Sequence, residues 1–324
     1  MIEIFDVICI GAALVDMVAQ VERYPSDDDE VFVSNLNLLS GGAAANTAYA
    51  CGKMGLSTAF IGKLGQNDIF SNKIINDFKE APVETKLLKY SNIQKTGSAY
   101  VALNKKGERR IYAYSGAANY LSKSDILEEE ITSTKLIYLS SLKNIGPLLH
   151  SAKIGRKKTI PVILNPGMLI IDQGFDNIKH LLENTDTLIL SQREFKTLFN
   201  LKDWNISIEL IRDNSDSLFA LNIKVIIVTL GSKGAFLLTS RENDLIPSLK
   251  IERVIDTTGA GDAFSAGFLF GLAQKLSLKF EHLRNDINIG NFVAGQCIQK
   301  LGARNGIPGR KEVDFFLSNV NKKI

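Results

Sequence analysis

Short apolar runs alternate with helical patterns along most of the chain. Residues 6–11 (DVICIG), 58–62 (TAFIG), 136–140 (LIYLS), 161–165 (PVILN), 187–191 (TLILS) and 225–230 (VIIVTL) are short and β-branched, and Gly, Pro, Asn or Ser bound them. Those are the marks of buried strands. Near-continuous apolar strands suit a parallel sheet covered on both faces. Helices fall between them, near 43–54, 68–80, 145–156, 175–184 and 192–200. The alternation predicts an α/β fold, a doubly wound, mostly parallel sheet sandwiched by helices.

Two stretches depart from this alternation. Residues 30–42 (EVFVSNLNLLSGG) and 96–120 carry strand-type residues without a helical period. The second contains NKKGE, a glycine-bearing loop between two strands, and reads as a hairpin. Together they form either a small sheet standing off the main one, a natural lid over a cleft, or edge strands of the main sheet. No repeat, low-complexity tract or long linker divides the 324 residues. We therefore expect a single domain over 1–324, with lid segments near 14–40 and 96–118.

Composition narrows the function classes. Hydrophobic residues are 45% and charged residues 23%, an ordinary globular balance. A net charge of +3, from 38 basic and 35 acidic residues, is too small to suggest a nucleic-acid binder. The local runs DDDE (27–30) and LNKKGERR (103–110) read as solvated loops or edges. Cys9, Cys51 and Cys297 have neither metal nor disulfide spacing. They read as buried small hydrophobes in a reducing, cytoplasmic setting. Glu3 and Asp6 argue against a secretory leader, and no apolar run approaches a membrane span. The expected partner is a small molecule, not a nucleic acid or a membrane.

The candidate chemistry centres on DTTGAGDAF (256–264). The following residues, to 273, are apolar on every side, which marks a buried helix. Its first-turn N–H groups lack intrahelical partners. The small residues Gly259, Ala260 and Gly261 would let an anion approach them, and the helix dipole adds positive potential there. Asp262 then sits beside an anion hole, placed to take a proton from an incoming hydroxyl while a phosphoryl group is steadied. The plainer reading is an acid at a helix start, worth about 0.3–1 kcal/mol.

Other signals are individually weaker. Gly41-Gly42 opens a helix of small residues in which Asn46 is the one amide, and a buried amide needs a partner, ligand or backbone. Asp16 follows the first strand in an apolar run, where sugar hydroxyls would be suitable donors. VTLGSKGAF (228–236) is a strand, tight turn and strand; it is a simple turn or a wall for nucleotide phosphates. Glu194 follows the end of a strand, where doubly wound folds place ligand-binding groups. No GxxxxGK(S/T) P-loop occurs, and no GxGxxG follows the first strand. His150, His180 and His282 lack metal spacing.

Taken together, the chain resembles the ribokinase, or PfkB-type, carbohydrate kinases, which include adenosine kinase and other nucleoside kinases. GGAAANTA (41–48) is similar to the family's first signature and DTTGAGDAF to its second; GAANYLS (116–122) and GARNGIP (302–308) also resemble family stretches. The likeness runs from about Val7 to about Val313. It implies a parallel sandwich with a small β lid and an ATP-dependent kinase acting on a primary hydroxyl. By resemblance, Asp262 is the general base and Gly259, Ala260 and Gly261 the anion hole. Asp16, Gly42 and Asn46 hold substrate hydroxyls. Thr229, Gly231, Ser232 and Gly234 form the ATP loop, with Asn291 near adenine. Glu194 organises Mg2+ through water, and Asp256 and Thr258 match a monovalent-cation (K+) site. A homodimer pairing lid to lid is the expected assembly.

Three positions depart from the family pattern. Ser191 stands where an asparagine often precedes the glutamate, while Ala43 and Leu14 replace a lysine and an asparagine of ribokinase proper. An apolar, small-residue site leaves room for a nucleobase, which favours a ribonucleoside over a free sugar. The alternatives are a kinase of a free sugar or sugar phosphate and, in another class, a non-catalytic sugar or nucleotide sensor.

Overall fold

The computed structural model describes residues 4–106, 108–202 and 206–320. Among them, nine strands make one sheet, in the order Asn243–Ile246, Ala235–Leu238, Val225–Thr229, Thr187–Ser191, Val162–Asn165, Thr134–Ser140, Phe5–Ile10, Thr58–Ile61 and Val83–Glu84. All six apolar runs read from the sequence lie in it. Every pairing is parallel except the two at the 243–246 edge, where a short turn at 231–234 joins neighbours and permits only an antiparallel return.

Alternate residues of each central strand serve opposite faces. Val7 and Cys9 pack with the helices Ala43–Lys53, Ile69–Glu80, Ala260–Lys275 and Phe280–Cys297. Ile8 and Ile10 pack with Gly146–Lys158, Phe175–Leu182, Gln192–Leu198 and Ile208–Phe219. This two-sided burial is why the strands read as continuous apolar runs. Helices 208–219, 280–297 and 310–320 add to the sequence reading.

The strand order reverses beside Phe5–Ile10. From there the chain runs outward through 58–61 and 83–84, then returns to 134–140 on the other side. Open α/β sheets bind ligands at the carboxyl ends of strands at such a switch point. Gly11 lies there, and a Cβ on it would sit 2.3 Å from the Ser140 carbonyl oxygen and 2.6 Å from Ala44 Cβ. Close packing here brings the helix at 43–53 against the crevice.

The two irregular stretches do not join the main sheet. Val33–Gly41, Leu14–Val21, Gly97–Asn104 and Arg109–Tyr114 form a separate four-stranded sheet in that order. The last two strands pair as an antiparallel hairpin; Gly107 of the expected loop lies outside the described residues. Asp16, expected after a strand, is within Leu14–Val21, opposite Leu39 and Ala99. The lead-in from the first strand is thus only residues 11–13, and the small sheet springs from the switch point itself.

Candidate active site

The helix Ala260–Lys275 is apolar on all sides, with residues 263–272 buried. Only its first turn faces the cleft. Gly259 caps it with φ 77°, in the left-handed region, and a Cβ there would lie 2.3 Å from Ala303 Cβ. Glycine is therefore required twice over, by backbone conformation and by contact. A Cβ on Gly261 would meet nothing within 4 Å, so the space beside this residue is open. The Ala260 N–H differs: it donates to the Thr257 carbonyl at 3.2 Å. The anion-hole reading accordingly rests on Gly259, Gly261 and the helix dipole.

Asp262 projects from this turn. Asn46 Nδ2 donates to its Oδ2 at 2.9 Å, and Thr47 Oγ1 donates to its backbone carbonyl at 3.3 Å. Two residues adjacent in helix 43–53 thus hold a residue 216 and 215 positions away. Desolvation pushes the Asp262 carboxyl up to about 7; the Asn46 hydrogen bond and the Arg304 charge pull it down, and Glu194 pushes it further up. A carboxylate poised near neutrality is what a general base requires.

Asp16 faces the same region from the small sheet. Burial raises its carboxyl above the ordinary range, and Arg304 opposes that rise. A Cβ on Gly41 would lie 2.6 Å from Asp16 Oδ2, so the glycine leaves room for the carboxylate across the strand pair. Gly42 has φ 93°, and a Cβ on it would lie 2.4 Å from the Ala12 carbonyl oxygen.

A cavity of about 690 Å³ opens on the other side of the helix head. Thr229, Gly231, Ser232, Gly234 and Asn291 line it together with Ala260 and Gly261, and Ile251, Val254, Phe264 and Ile298 supply apolar wall. Gly234 has φ 102°, and a Cβ there would lie 2.1 Å from the Ile246 carbonyl oxygen. Asn291 Nδ2 donates to the Pro247 carbonyl at 3.0 Å, which ties down the neighbouring wall.

A volume of a few hundred Å³ with apolar walls and a few polar groups suits a nucleotide-sized ligand. The pfkB family carbohydrate kinase profile matches residues 5–310. The chain belongs to that family. It is therefore a phosphotransferase with an alcohol group as acceptor. It is 28% identical to the ribokinase of Staphylococcus aureus, over 95% of this chain and 98% of that one. It is 25% identical to the nucleoside kinase of Methanocaldococcus jannaschii, over 93% and 92%. The structure of Arabidopsis thaliana ribokinase complexed with ribose and ATP superposes with a TM-score of 0.85 at 26% identity, covering 96% of this chain and 99% of that one.

Other residues of this pfkB kinase have specific local duties. Ser191 accepts from the Glu194 N–H at 3.2 Å, and Glu194 Oε2 accepts from the Ser191 N–H at 2.7 Å. This capping box makes position 191 a helix cap. Burial raises the Glu194 carboxyl. No group of three or more His, Cys, Asp or Glu able to hold a metal occurs among the described residues. A lone carboxylate fits a magnesium ion that keeps its waters and is carried on nucleotide phosphates. Asp256 accepts from Thr258 Oγ1 at 2.7 Å, the Thr258 N–H at 3.0 Å and the Gly302 N–H at 2.8 Å. Its carboxylate staples two loops.

Arg304 is the site residue that the sequence reading passed over. It is 7% exposed. Its Nε donates to Asn46 Oδ1 at 3.0 Å, and Nη1 lies 3.6 Å from Asp77 Oδ2. The guanidinium carbon sits 5.0 Å from the Tyr49 ring centroid and 5.6 Å from that of Phe78. A lone arginine in the small-residue stretch GARNGIP was the available signal.

Proposed function

We propose that this chain is an ATP-dependent kinase that phosphorylates the primary hydroxyl of a ribonucleoside. The observation that carries the reading is the Asn46–Asp262 pair at the head of a helix that also borders the 690 Å³ cavity. ATP lies along residues 229–234 with its γ-phosphate toward Gly259 and Gly261. The acceptor lies under the small sheet, its hydroxyls against Asp16 and the remaining donor of Asn46. Asp262 takes the hydroxyl proton as the oxygen attacks phosphorus, and the helix terminus steadies the charge on the transferring group. Closure of the small sheet as a lid excludes water as a rival acceptor. Magnesium, organised by Glu194 through water, would neutralise phosphate charge.

Two features support an uncharged acceptor of some breadth. Ala43 and Leu14, both partly exposed beside Asp16, take up little polar space. Asp16 and Asp262 face the buried Arg304 and Glu194 faces Asp262, an excess of acid over base. Among the basic residues of the small sheet, Lys105 pairs with Glu22 at 2.6 Å and Arg110 stacks over Tyr24 at 4.2 Å, whereas Arg109 reaches Thr258 Oγ1 at 3.4 Å, one residue before the helix cap Gly259. Arg109 is thus a cation at the site loop, and it is the one feature that favours a phosphorylated acceptor. Free ribose is the second reading, favoured by the ribokinase relatives. A K+ ion at Asp256 and Thr258 would share a carboxylate that already accepts three donors, and turnover in potassium against sodium salts tests it. The outer face of the small sheet exposes Leu36, Leu38, Tyr112 and Tyr114, which supports a homodimer through the lid; a monomeric mass by light scattering would remove it.

The test is ADP release with MgATP against adenosine, inosine, guanosine, cytidine, ribose, fructose and fructose 6-phosphate. Turnover on a nucleoside supports the reading. Turnover on ribose alone replaces it with the second. Silence on every acceptor, with ATP bound, turns the assignment toward a sensor.

A further inference from the structure

The Asn46 amide sits between a cation and an anion. Its Oδ1 accepts from Arg304 Nε at 3.0 Å, and its Nδ2 donates to Asp262 Oδ2 at 2.9 Å. An arginine offers only donors and an ionised carboxylate only acceptors. Each neighbour therefore demands the same orientation of the amide. The flipped amide would set Nδ2 against the Arg304 N–H and Oδ1 against the carboxylate, losing both bonds and opposing like dipoles.

Arg304 is itself fixed from several sides. Tyr49 and Phe78 cover its guanidinium, and Asp77 lies 3.6 Å from Nη1. Burial at 7% exposure pushes its own pKa down to about 10, which still leaves it charged at neutral pH. Neither Nη1 nor Nη2 has a hydrogen-bond partner within the protein, a costly arrangement for a buried cation. The cost falls at one place in the fold. The neighbouring residues hold the same locus: Gly302 N–H donates to Asp256 Oδ2 at 2.8 Å, and Ala303 packs on Gly259. Residues 302–304 thus touch the loop before the helix, its cap, and the amide that holds its acid.

We propose that Arg304 is a positioning residue for phosphoryl transfer: through Asn46 it fixes the rotamer of Asp262 and aims that carboxylate into the cleft. The inference rests on the reading of Asp262 as the base. The other groups facing Asp262 come from separate elements: Glu194 from helix 192–198, Tyr138 from strand 134–140 and Cys297 from helix 280–297. Asp16 faces Arg304 from the small sheet, and Asp77 does so from helix 69–80. Glu194 acts against ionisation of Asp262, and Arg304 is the cation that acts for it.

The test uses the full chain with Arg304→Met, Arg304→Lys and Asp77→Asn. The Asp262 carboxyl is followed by carbon-13 NMR titration, its signal assigned by its loss in Asp262→Asn. The titration midpoint should rise in Arg304→Met and return part-way in Arg304→Lys. It should fall in Asp77→Asn, which keeps the guanidinium and removes a competing negative charge; this variant carries the test if Arg304→Met does not fold. Turnover at pH 7 should drop about 100-fold in Arg304→Met, the scale of a misplaced reacting group. The acid limb of the pH profile should move up with the midpoint, and the KM for ATP should stay unchanged. A midpoint unmoved in both Arg304→Met and Asp77→Asn overturns the proposal. A midpoint that moves while the acid limb stays put supports the positioning and overturns the reading of Asp262 as base.

Discussion

The two sides of the helix head at 259–262 are built from opposite materials. On the cavity side, glycines, two threonines, two serines and apolar walls present backbone and open volume, with Lys250 the one charged residue of the lining among the described residues. On the small-sheet side, Asp16, Asp262 and Arg304 sit within one partly buried cluster and shift one another's ionisation. A nucleotide brings its own charge, so a shape-defined groove with a single lysine and a helix dipole suffice for it. Proton removal from an alcohol needs a tuned carboxylate, and tuning takes buried charge. Substitutions on the two sides should therefore fail differently.

The sharpest contrast comes from Asp262→Asn. Turnover should fall at least about 100-fold, the scale of lost general-base catalysis, while ATP still binds by calorimetry. The native enzyme should lose kcat/KM as pH falls below about 7, because the base is then protonated. Stability should respond in the opposite sense. The folded-state carboxyl lies above its unfolded value, so its stabilising protonation is complete below the unfolded pKa and lost as pH rises through about 7. Asp262→Asn should melt higher than the native chain at pH 8, and that gain should vanish in acid. Near-native turnover in this variant would erase the distinction between the two sides.

Asp16→Asn should act next most strongly, and only on the acceptor. A hydrogen bond to a charged group is worth about 1.5–3 kcal/mol, so acceptor kcat/KM should fall about 10–100-fold with ATP KM unchanged. An equal rise in both KM values would mean that the small sheet serves the nucleotide as well. Gly234→Ala is the counterpart on the cavity side. A φ of 102° and a carbonyl oxygen 2.1 Å from the new Cβ predict a loss of about 1–3 kcal/mol in stability, read from denaturant midpoints. ATP KM should rise about tenfold, one 1.4 kcal/mol step, with acceptor KM unaffected.

This contrast also accounts for what the sequence made legible. The six central strands were readable because both of their faces are buried, so their apolar runs are uninterrupted. The two signature stretches were readable because tight turns and close helix packing demand runs of glycine and alanine. Helix 280–297 escaped because FEHLRNDINIGNFVAGQC mixes asparagine, glycine and β-branched residues; Gly290 sits where a Cβ would lie 2.9 Å from the Phe264 carbonyl oxygen, so packing overrides propensity. Arg304 escaped for a different reason. Its partners Asn46 and Asp77 lie 258 and 227 positions away, and no local spacing records such a contact.

The smallest effect should come from Ser191→Asn. Position 191 caps helix 192–198, and asparagine is as good an N-cap as serine, so stability should change by only a few tenths of a kcal/mol. The Ser191–Glu194 capping box already directs Glu194 by holding its Oε2 on the Ser191 N–H, a backbone donor that the substitution keeps. The magnesium concentration for half-maximal turnover should therefore stay where it is. Ser191 and Thr229 are paired neighbours at the ends of adjacent strands, so a longer amide at 191 would extend toward the cavity edge. A several-fold drop in the magnesium requirement would mean that the amide reaches the nucleotide's metal. The serine would then be a loss on the cavity side of the site, and the family departure at 191 would bear on donor binding instead of helix capping.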